Sequence, residues 1–205
     1  MIAVVDYGMG NLRSVQKGLE RVGQDAVITS NPDIIKKASA LVLPGVGAFR
    51  ACMNNLQSYG LVDVVLSSIK KGKPFLGICV GMQLLFSECE EFGESLGLDI
   101  LKGKVVRFPQ TVNGARLKIP HMGCNNIKFK KNSPFFKGLP DNSFVYFVHS
   151  YHPIPEDKDI IATTTKYGIE FTSSVYKDNI FATQFHPEKS QTTGLNILRN
   201  FGELI

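Results

Sequence analysis

Two short stretches carry residue types that can do covalent chemistry. In "PFLGICVGMQLLFSE", Pro74 to Glu88, one cysteine, Cys79, stands between glycines where an apolar run gives way to a helical pattern. In "ATQFHPEKS" an apolar strand pattern ends on His186-Pro187-Glu188. A thiolate can form an acyl intermediate when a base takes its proton and a third group orients the base. G-x-C-x-G has the spacing of the G-x-S-x-G nucleophile elbow, in which a tight strand-to-helix turn pushes the nucleophile out of the sheet. Gly77 and Gly81 let neighbouring backbone pass close on either side. The helix read over Val80 to Leu85 would start beside the sulfur, where its dipole favours thiolate over thiol and its first N–H groups can hold an oxyanion.

Of the four histidines, His121, His149, His152 and His186, only His186 has an acid at a telling distance in sequence. In an extended chain residues two apart face the same side, and Pro187 holds the backbone extended, so Glu188 can brace the imidazole and set its tautomer. Plainer readings stay open here: a packed cysteine between two turn glycines, and a surface histidine followed by a solvated glutamate. His121 and His149 read as satisfied structural or interface histidines.

The elements that must position these groups fall into two halves. "IAVVDY", "DAVIT", "ALVLPG" and "PFLGI" are short apolar strands separated by helical or turn patterns. Leu12, Val15, Leu19 and Val22 fall at helical spacing after Asn11, a candidate cap, and Gly23 stops that helix. Residues 61–71 read as a second helix ending at Gly72. Buried strands alternating with helices imply a parallel sheet with helices on both faces. The second half is strand-rich ("VVRF", "NNIKF", "SFVYFVHSY", "IIATTTKY", "FTSSVYK", "IFATQF"), with hairpin breaks at Tyr167-Gly168 and Asp178-Asn179. It predicts antiparallel strands added to the sheet, and "TTGLNILRNFGELI" predicts a closing helix. The fold class expected is α/β, an open, mostly parallel sheet, on one domain spanning residues 1–205. Ligands of such sheets bind outside the carboxyl ends of the strands, where Cys79 lies.

Composition excludes several function classes. With 43% hydrophobic and 20% charged residues, the chain is ordinary for a soluble globular protein. No apolar run approaches the ~20 residues of a membrane-spanning helix. The opening "MIAVVDYGMGN" lacks the basic and cleavage regions of a signal peptide, so a cytoplasmic location is expected. The net charge of +5 is spread over lysine pairs without the density or aromatic interleaving of a nucleic-acid stripe. Cys52, Cys79, Cys89 and Cys124 contain no CxxC pair, which argues against a zinc site, and no disulfide framework is expected. No metal and no cofactor are expected.

"GICVGMQ" together with "FHPE" resembles the class I (triad-type) glutamine amidotransferases, whose Cys-His-Glu triad hydrolyses glutamine to glutamate and ammonia. "VVDYGMGNLRSV", "LPGVGAF" at 43–49, "KIPHMG" at 118–123, "YFVHSY" at 146–151 and "FHPEKSQ" at 185–191 are similar to the glutaminase subunits of imidazole glycerol phosphate synthase, and the likeness runs through the last helix. It implies Cys79 as nucleophile, His186 as base and acid, and Glu188 as orienter. It also implies oxyanion contacts from Val80 and from the Val46-Gly47 backbone, with Gln83, Ser150 and Tyr151 near bound glutamine. Asn11 and Lys189 are implied at the interface with a partner, a (β/α)8 barrel cyclase. Ammonia would pass through that barrel to a second site that makes imidazole glycerol phosphate and a carboxamide ribonucleotide in histidine biosynthesis. One departure stands out. The family usually has tryptophan after "PHMG", and this chain has Cys124. The rival readings are another amidotransferase glutaminase, a cysteine peptidase or esterase of similar fold, and a binding module without chemistry.

Overall fold

Short, fully apolar segments become parallel strands when helices cover both faces of the sheet they build. In the computed structural model, which describes residues 1–205, the first half runs β1 (Ile2–Val5), α1 (Leu12–Arg21), β2 (Ala26–Thr29), α2 (Pro32–Lys37), β3 (Ala40–Gly45), α3 (Phe49–Ser58), α4 (Val62–Lys70), β4 (Phe75–Cys79) and α5 (Val80–Gln83). Every residue of β1, β3 and β4 is buried, while the edge strand β2 is only partly so. The second half runs β5 (Phe86–Cys89), β6 (Ser95–Leu96), β7 (Leu101–Arg107), β8 (Thr111–Val112), β9 (Ala115–Arg116), β10 (His121–Asn126), β11 (Lys128–Phe129), β12 (Phe144–His149), β13 (Tyr151–Pro155), β14 (Ile161–Tyr167), β15 (Ile169–Lys177), β16 (Ile180–Thr183) and α6 (Gln191–Gly202).

The main sheet has the order β11-β14-β15-β16-β4-β3-β1-β2. From β2 to β16 all neighbours are parallel, and β15, β14 and β11 extend the sheet antiparallel, as the sequence predicts. The step from β1 to β2 runs opposite to the steps from β2 to β3 and β3 to β4. Right-handed crossovers therefore put α1 on one face and α2, α3 and α4 on the other. Contacts agree, since α1 packs on α6 and α2 on α4. Gly23 and Gly72, both at positive φ, follow α1 and α4 where the sequence places their ends. The buried apolar side chains of both halves form one connected cluster.

Three expectations need correction. Not all the later strands join the main sheet: β13-β7-β5-β6 form a separate four-stranded sheet and β10-β12 a two-stranded ribbon. A strand pattern reports alternation and burial, not the choice of partner. The helix after Cys79 is one turn, Val80–Gln83, and not a run to Leu85. Leu85 N–H turns back to the Met82 carbonyl, three residues away, rather than to that of Gly81, and the Leu84 and Leu85 carbonyls accept from the N–H groups of Leu98, Ile100 and Leu101, which delivers the chain into β5. Asn11 does precede α1, but its side chain makes no capping hydrogen bond. The best side-chain cap in this half lies on α2, where Asn31 accepts from Asp33 N–H at 2.8 Å.

Candidate active site

Strands β3, β4 and β16 are adjacent and parallel, with Gly45 opposite Cys79 and Thr183 opposite Ile78. Their carboxyl ends therefore release three segments at one edge: Val46-Gly47, Cys79, and Gln184 to His186. Cys79 ends β4 with φ 56° and ψ −111°, a conformation L-residues rarely adopt and the one a nucleophile elbow uses. Gly81 permits the turn, because a side chain there would run into the Leu43 carbonyl. Val80 N–H opens the turn and has no acceptor within it. At four residues, though, α5 is too short to supply the full dipole expected from the sequence.

His186 and Glu188 meet as the sequence predicts, by a different backbone route. Pro187–Lys189 is a 3-10 turn, so only His186 itself, at φ −103° and ψ 98°, is extended. Within that turn His186 Nδ1 donates to Glu188 Oε1 at 2.8 Å, and the two side chains are 2% and 1% exposed. Burial opposes an imidazolium here, but contact with Cys79 and Glu188 outweighs it and pushes the His186 pKa up to about 10. The thiol acts on the ring at close range without aligned hydrogen-bond geometry, since Nε2 makes no hydrogen bond. Such pairs often tighten only with substrate bound. The turn is pinned to β12: His186 N–H donates to Tyr146 O at 2.9 Å, and Ser190 Oγ bridges Tyr146 N–H and His186 O.

Cys79 and His186 face a cavity of about 300 Å³, at the small end for ligand pockets. Val46, Gly47, Val80, Gln83, Ser150 and Tyr151 line it too, so the structure gathers every substrate and oxyanion candidate there. Glu188 lies behind His186, outside the lining. Gln83 Nε2 uses both hydrogens, on Tyr151 O at 3.1 Å and Gln184 Oε1 at 3.0 Å. Only its carbonyl oxygen is left for a ligand. The Val46 carbonyl accepts from Cys52 Sγ at 3.5 Å, which turns the N–H of the same peptide, that of Gly47, to the opposite side. Gly45 and Gly47 differ in why they are glycine. A side chain on Gly45 would press on Val80, Gly81 and the Tyr7 hydroxyl, whereas Gly47 has φ +94° and open space around it.

Sequence reasoning missed two polar residues here. Gln184 is two positions before His186, so strand alternation could have placed it on the same side. Glu91 also lines the cavity, and its Oε2 accepts from Phe49 N–H at 2.6 Å at the start of α3. No local pattern signals that bond across 42 positions.

A second buried polar group lies against the cavity wall. His149 Nδ1 is 2.8 Å from Tyr151 O, which can only accept, so Nδ1 carries the proton. His149 Nε2 then accepts from His121 Nδ1 at 3.0 Å, and His121 Nε2 accepts from Asn125 Nδ2 at 3.2 Å. Burial pushes His121 down to about 4 and His149 to about 3, so both rings are neutral. The opposite face of the same ribbon exposes Met122 (61%), Phe144 (63%) and Cys124. Lys189 lies over the Tyr146 ring beside it, 5.9 Å from the centroid. Asn11 and Lys189 are outside the cavity lining. No cluster of three or more His, Cys, Asp or Glu is placed to hold a metal ion.

Residues 3–204 match the family described as glutamine amidotransferase class-I. The chain is 55% identical over 205 residues to the imidazole glycerol phosphate synthase subunit HisH of Geobacter sulfurreducens, covering 99% of this chain and 98% of that one. It is 54% identical over 199 residues to the protein of the same name from Aquifex aeolicus, covering 97% and 94%. Among solved structures, a putative GMP synthase subunit from Thermoplasma acidophilum superposes with a TM-score of 0.72 at 25% identity, covering 99% of this chain and 92% of that one. PurLQS from Thermotoga maritima superposes at 0.76 with 16% identity, covering 99% and 97%, a likeness of fold.

Proposed function

The chain belongs to the class-I glutamine amidotransferase family, and from that premise we propose that it hydrolyses glutamine to glutamate and ammonia through a thioester on Cys79. The observation that carries this reading is the buried His186–Glu188 pair, 2.8 Å apart, at the strand end beside Cys79. The thiolate of Cys79 attacks the carboxamide carbon. The oxygen that becomes negative is held by Val80 N–H and by a second donor from the Val46-Gly47 backbone. Imidazolium His186 gives its proton to the leaving nitrogen, ammonia departs, and the thioester remains. Neutral His186 then takes a proton from water as hydroxide adds to the thioester. The adduct expels the Cys79 thiolate, and the new γ-carboxyl loses its proton to solvent as glutamate departs, which restores the thiolate and the imidazolium. Glu188 keeps Nδ1 protonated so that Nε2 does both transfers. The Gln83 oxygen accepts from the substrate's α-ammonium, with Ser150 and Tyr151 beside it. A cavity of about 300 Å³ suits one amino acid better than a peptide, which disfavours the peptidase reading.

The named relatives, matched along the whole chain, support a role as the glutaminase subunit of imidazole glycerol phosphate synthase in histidine biosynthesis. Ammonia then goes to a (β/α)8 cyclase in a heterodimer. Exposed Met122 and Phe144, with Lys189 beside them, form a face suited to such a partner, and Asn11, just before α1, is assigned to the same interface by the likeness to the family. Cys124 leaves that face without the large ring the family usually carries. The reading carries a cytoplasmic location, and no helix is long and apolar enough to cross a membrane. The test is Cys79→Ser in the complex with the cyclase. Glutamine-dependent synthesis should vanish while synthesis from added ammonium salt persists. Glutamine hydrolysis that survives the substitution overturns the proposal.

A further inference from the structure

Gln184 is fully buried, and no step above uses it. Its Oε1 accepts from Gln83 Nε2 at 3.0 Å, and Gln83 is held in turn by the Tyr151 carbonyl. A carboxamide fixed through its oxygen has one place for its nitrogen, and that place is 3.7 Å from Cys79 Sγ. A thiol sulfur is a weak acceptor and a thiolate a much better one, so a donor held there favours the anion. With a dipole this short, α5 supplies little of that stabilisation.

We propose that Gln184 is a positioning residue that holds the Cys79 sulfur as a thiolate and aims it at the substrate carboxamide. The inference rests on the nucleophilic role of Cys79. It assigns Gln83 two duties: its oxygen faces the substrate while its nitrogen locks Gln184. Gln184 touches sulfur and not the substrate, so its loss acts on kcat more than on KM.

The experiment follows alkylation of Cys79 by iodoacetamide, without glutamine, by peptide mass spectrometry as a function of pH. Gln184→Met keeps the volume and removes the donor, and Gln184→Glu keeps the shape and adds charge. The other titratable groups around Cys79 are His186, Tyr7 and Cys52, with Glu91, His149 and Tyr151 on the same cavity, and both variants keep them all. For Gln184→Met the alkylation profile should move alkaline by about one pH unit, about tenfold in rate on its acid side. Gln184→Glu should move it at least as far. Profiles that superimpose on the parent's in whichever variants fold, with Cys79→Ser still inactive, would overturn the Gln184 role alone. A Cys79→Ser chain that hydrolyses glutamine overturns both readings.

Discussion

Two regions of this molecule bury histidine equally well and treat it in opposite ways. His186 is 2% exposed, His121 3% and His149 6%, yet the first is pushed up to about 10 and the others down to about 4 and 3. Burial penalises the cation in all three. What differs is the company. His186 has the carboxylate of Glu188 and the sulfur of Cys79. His121 and His149 have each other, an amide, a carbonyl, and the rings of Phe108, Phe147, Phe171 and Tyr167. The first set makes a proton carrier, and the second makes a neutral wall with fixed tautomers. Low exposure therefore does not assign a histidine to chemistry or to structure; the charge of its hydrogen-bond partner does. The backbones differ in parallel. Cys79 and Gly47 sit at positive φ where the chain leaves its strands, whereas β10 and β12, with Gly123 alone at positive φ, pair in unbroken antiparallel register.

The largest effect should come from making the His186 environment resemble that of His149. Glu188→Gln replaces the carboxylate by a neutral acceptor of the same size. The imidazolium loses its counter-charge and the ring its fixed tautomer, so glutaminase kcat/KM should fall on the order of 10²–10⁴. The loss should stay smaller than that of Cys79→Ala, because an orienter breaks no bond. Unchanged kcat/KM in Glu188→Gln, measured as glutamate release by the complex, breaks the contrast between the two regions.

A smaller effect tests the strained backbone on the active side. Gly47 has φ +94° with nothing within 4 Å of an added Cβ, so Gly47→Val strains the backbone without a clash. Under the proposed mechanism the Val46-Gly47 backbone supplies the second oxyanion donor, and strain at Gly47 misaims it. Loss of one oxyanion donor costs on the order of 10²–10³ in rate. Gly47→Val should lower stimulated glutaminase activity by that factor and leave cyclase affinity, read by titration calorimetry, nearly unchanged. Equal glutaminase activity of mutant and parent in the complex removes that donor from the mechanism.

Legibility divides along the same line. The elbow cysteine, the His-x-Glu pair and the α/β alternation are local patterns, and local patterns survive in one dimension. Gln184 was within reach, because it shares the parity of His186 along the strand-like run that the sequence shows up to Phe185. The neutral pair His121–His149 was not, because its partners come from β10, β12 and the Tyr151 carbonyl. Cross-strand register, with His121 opposite His149, is what brings those rings together. The one-turn length of α5 was hidden for the same reason: the residues just after it, Leu84 and Leu85, are drawn by residues 98–101, outside any helical window. The short 3-10 turn at Pro187–Lys189 also escaped, since Pro187 is compatible with both an extended chain and a first helical turn.

The smallest effect concerns stability and the neutral pair. In the unfolded chain a histidine titrates near 6.5, whereas folded His121 and His149 titrate near 4 and 3. Between those values the unfolded chain binds protons that the folded one refuses, so stability must fall as pH drops from about 6.5 toward about 4. Above 6.5 the two rings add no pH dependence, because both states hold them neutral. His149→Gln keeps a donor for the Tyr151 carbonyl and removes one of the two titrations. It should lower Tm at neutral pH and make the decline of Tm below pH 6.5 shallower than in the parent. The slope carries the information, since packing loss shifts Tm at every pH and carboxylates titrate alike in both chains. Parallel Tm curves across that window, followed by circular dichroism, would show that His149 takes up its proton as easily folded as unfolded. The wall would then be chargeable, and the difference between the two histidine regions would be one of position and not of protonation.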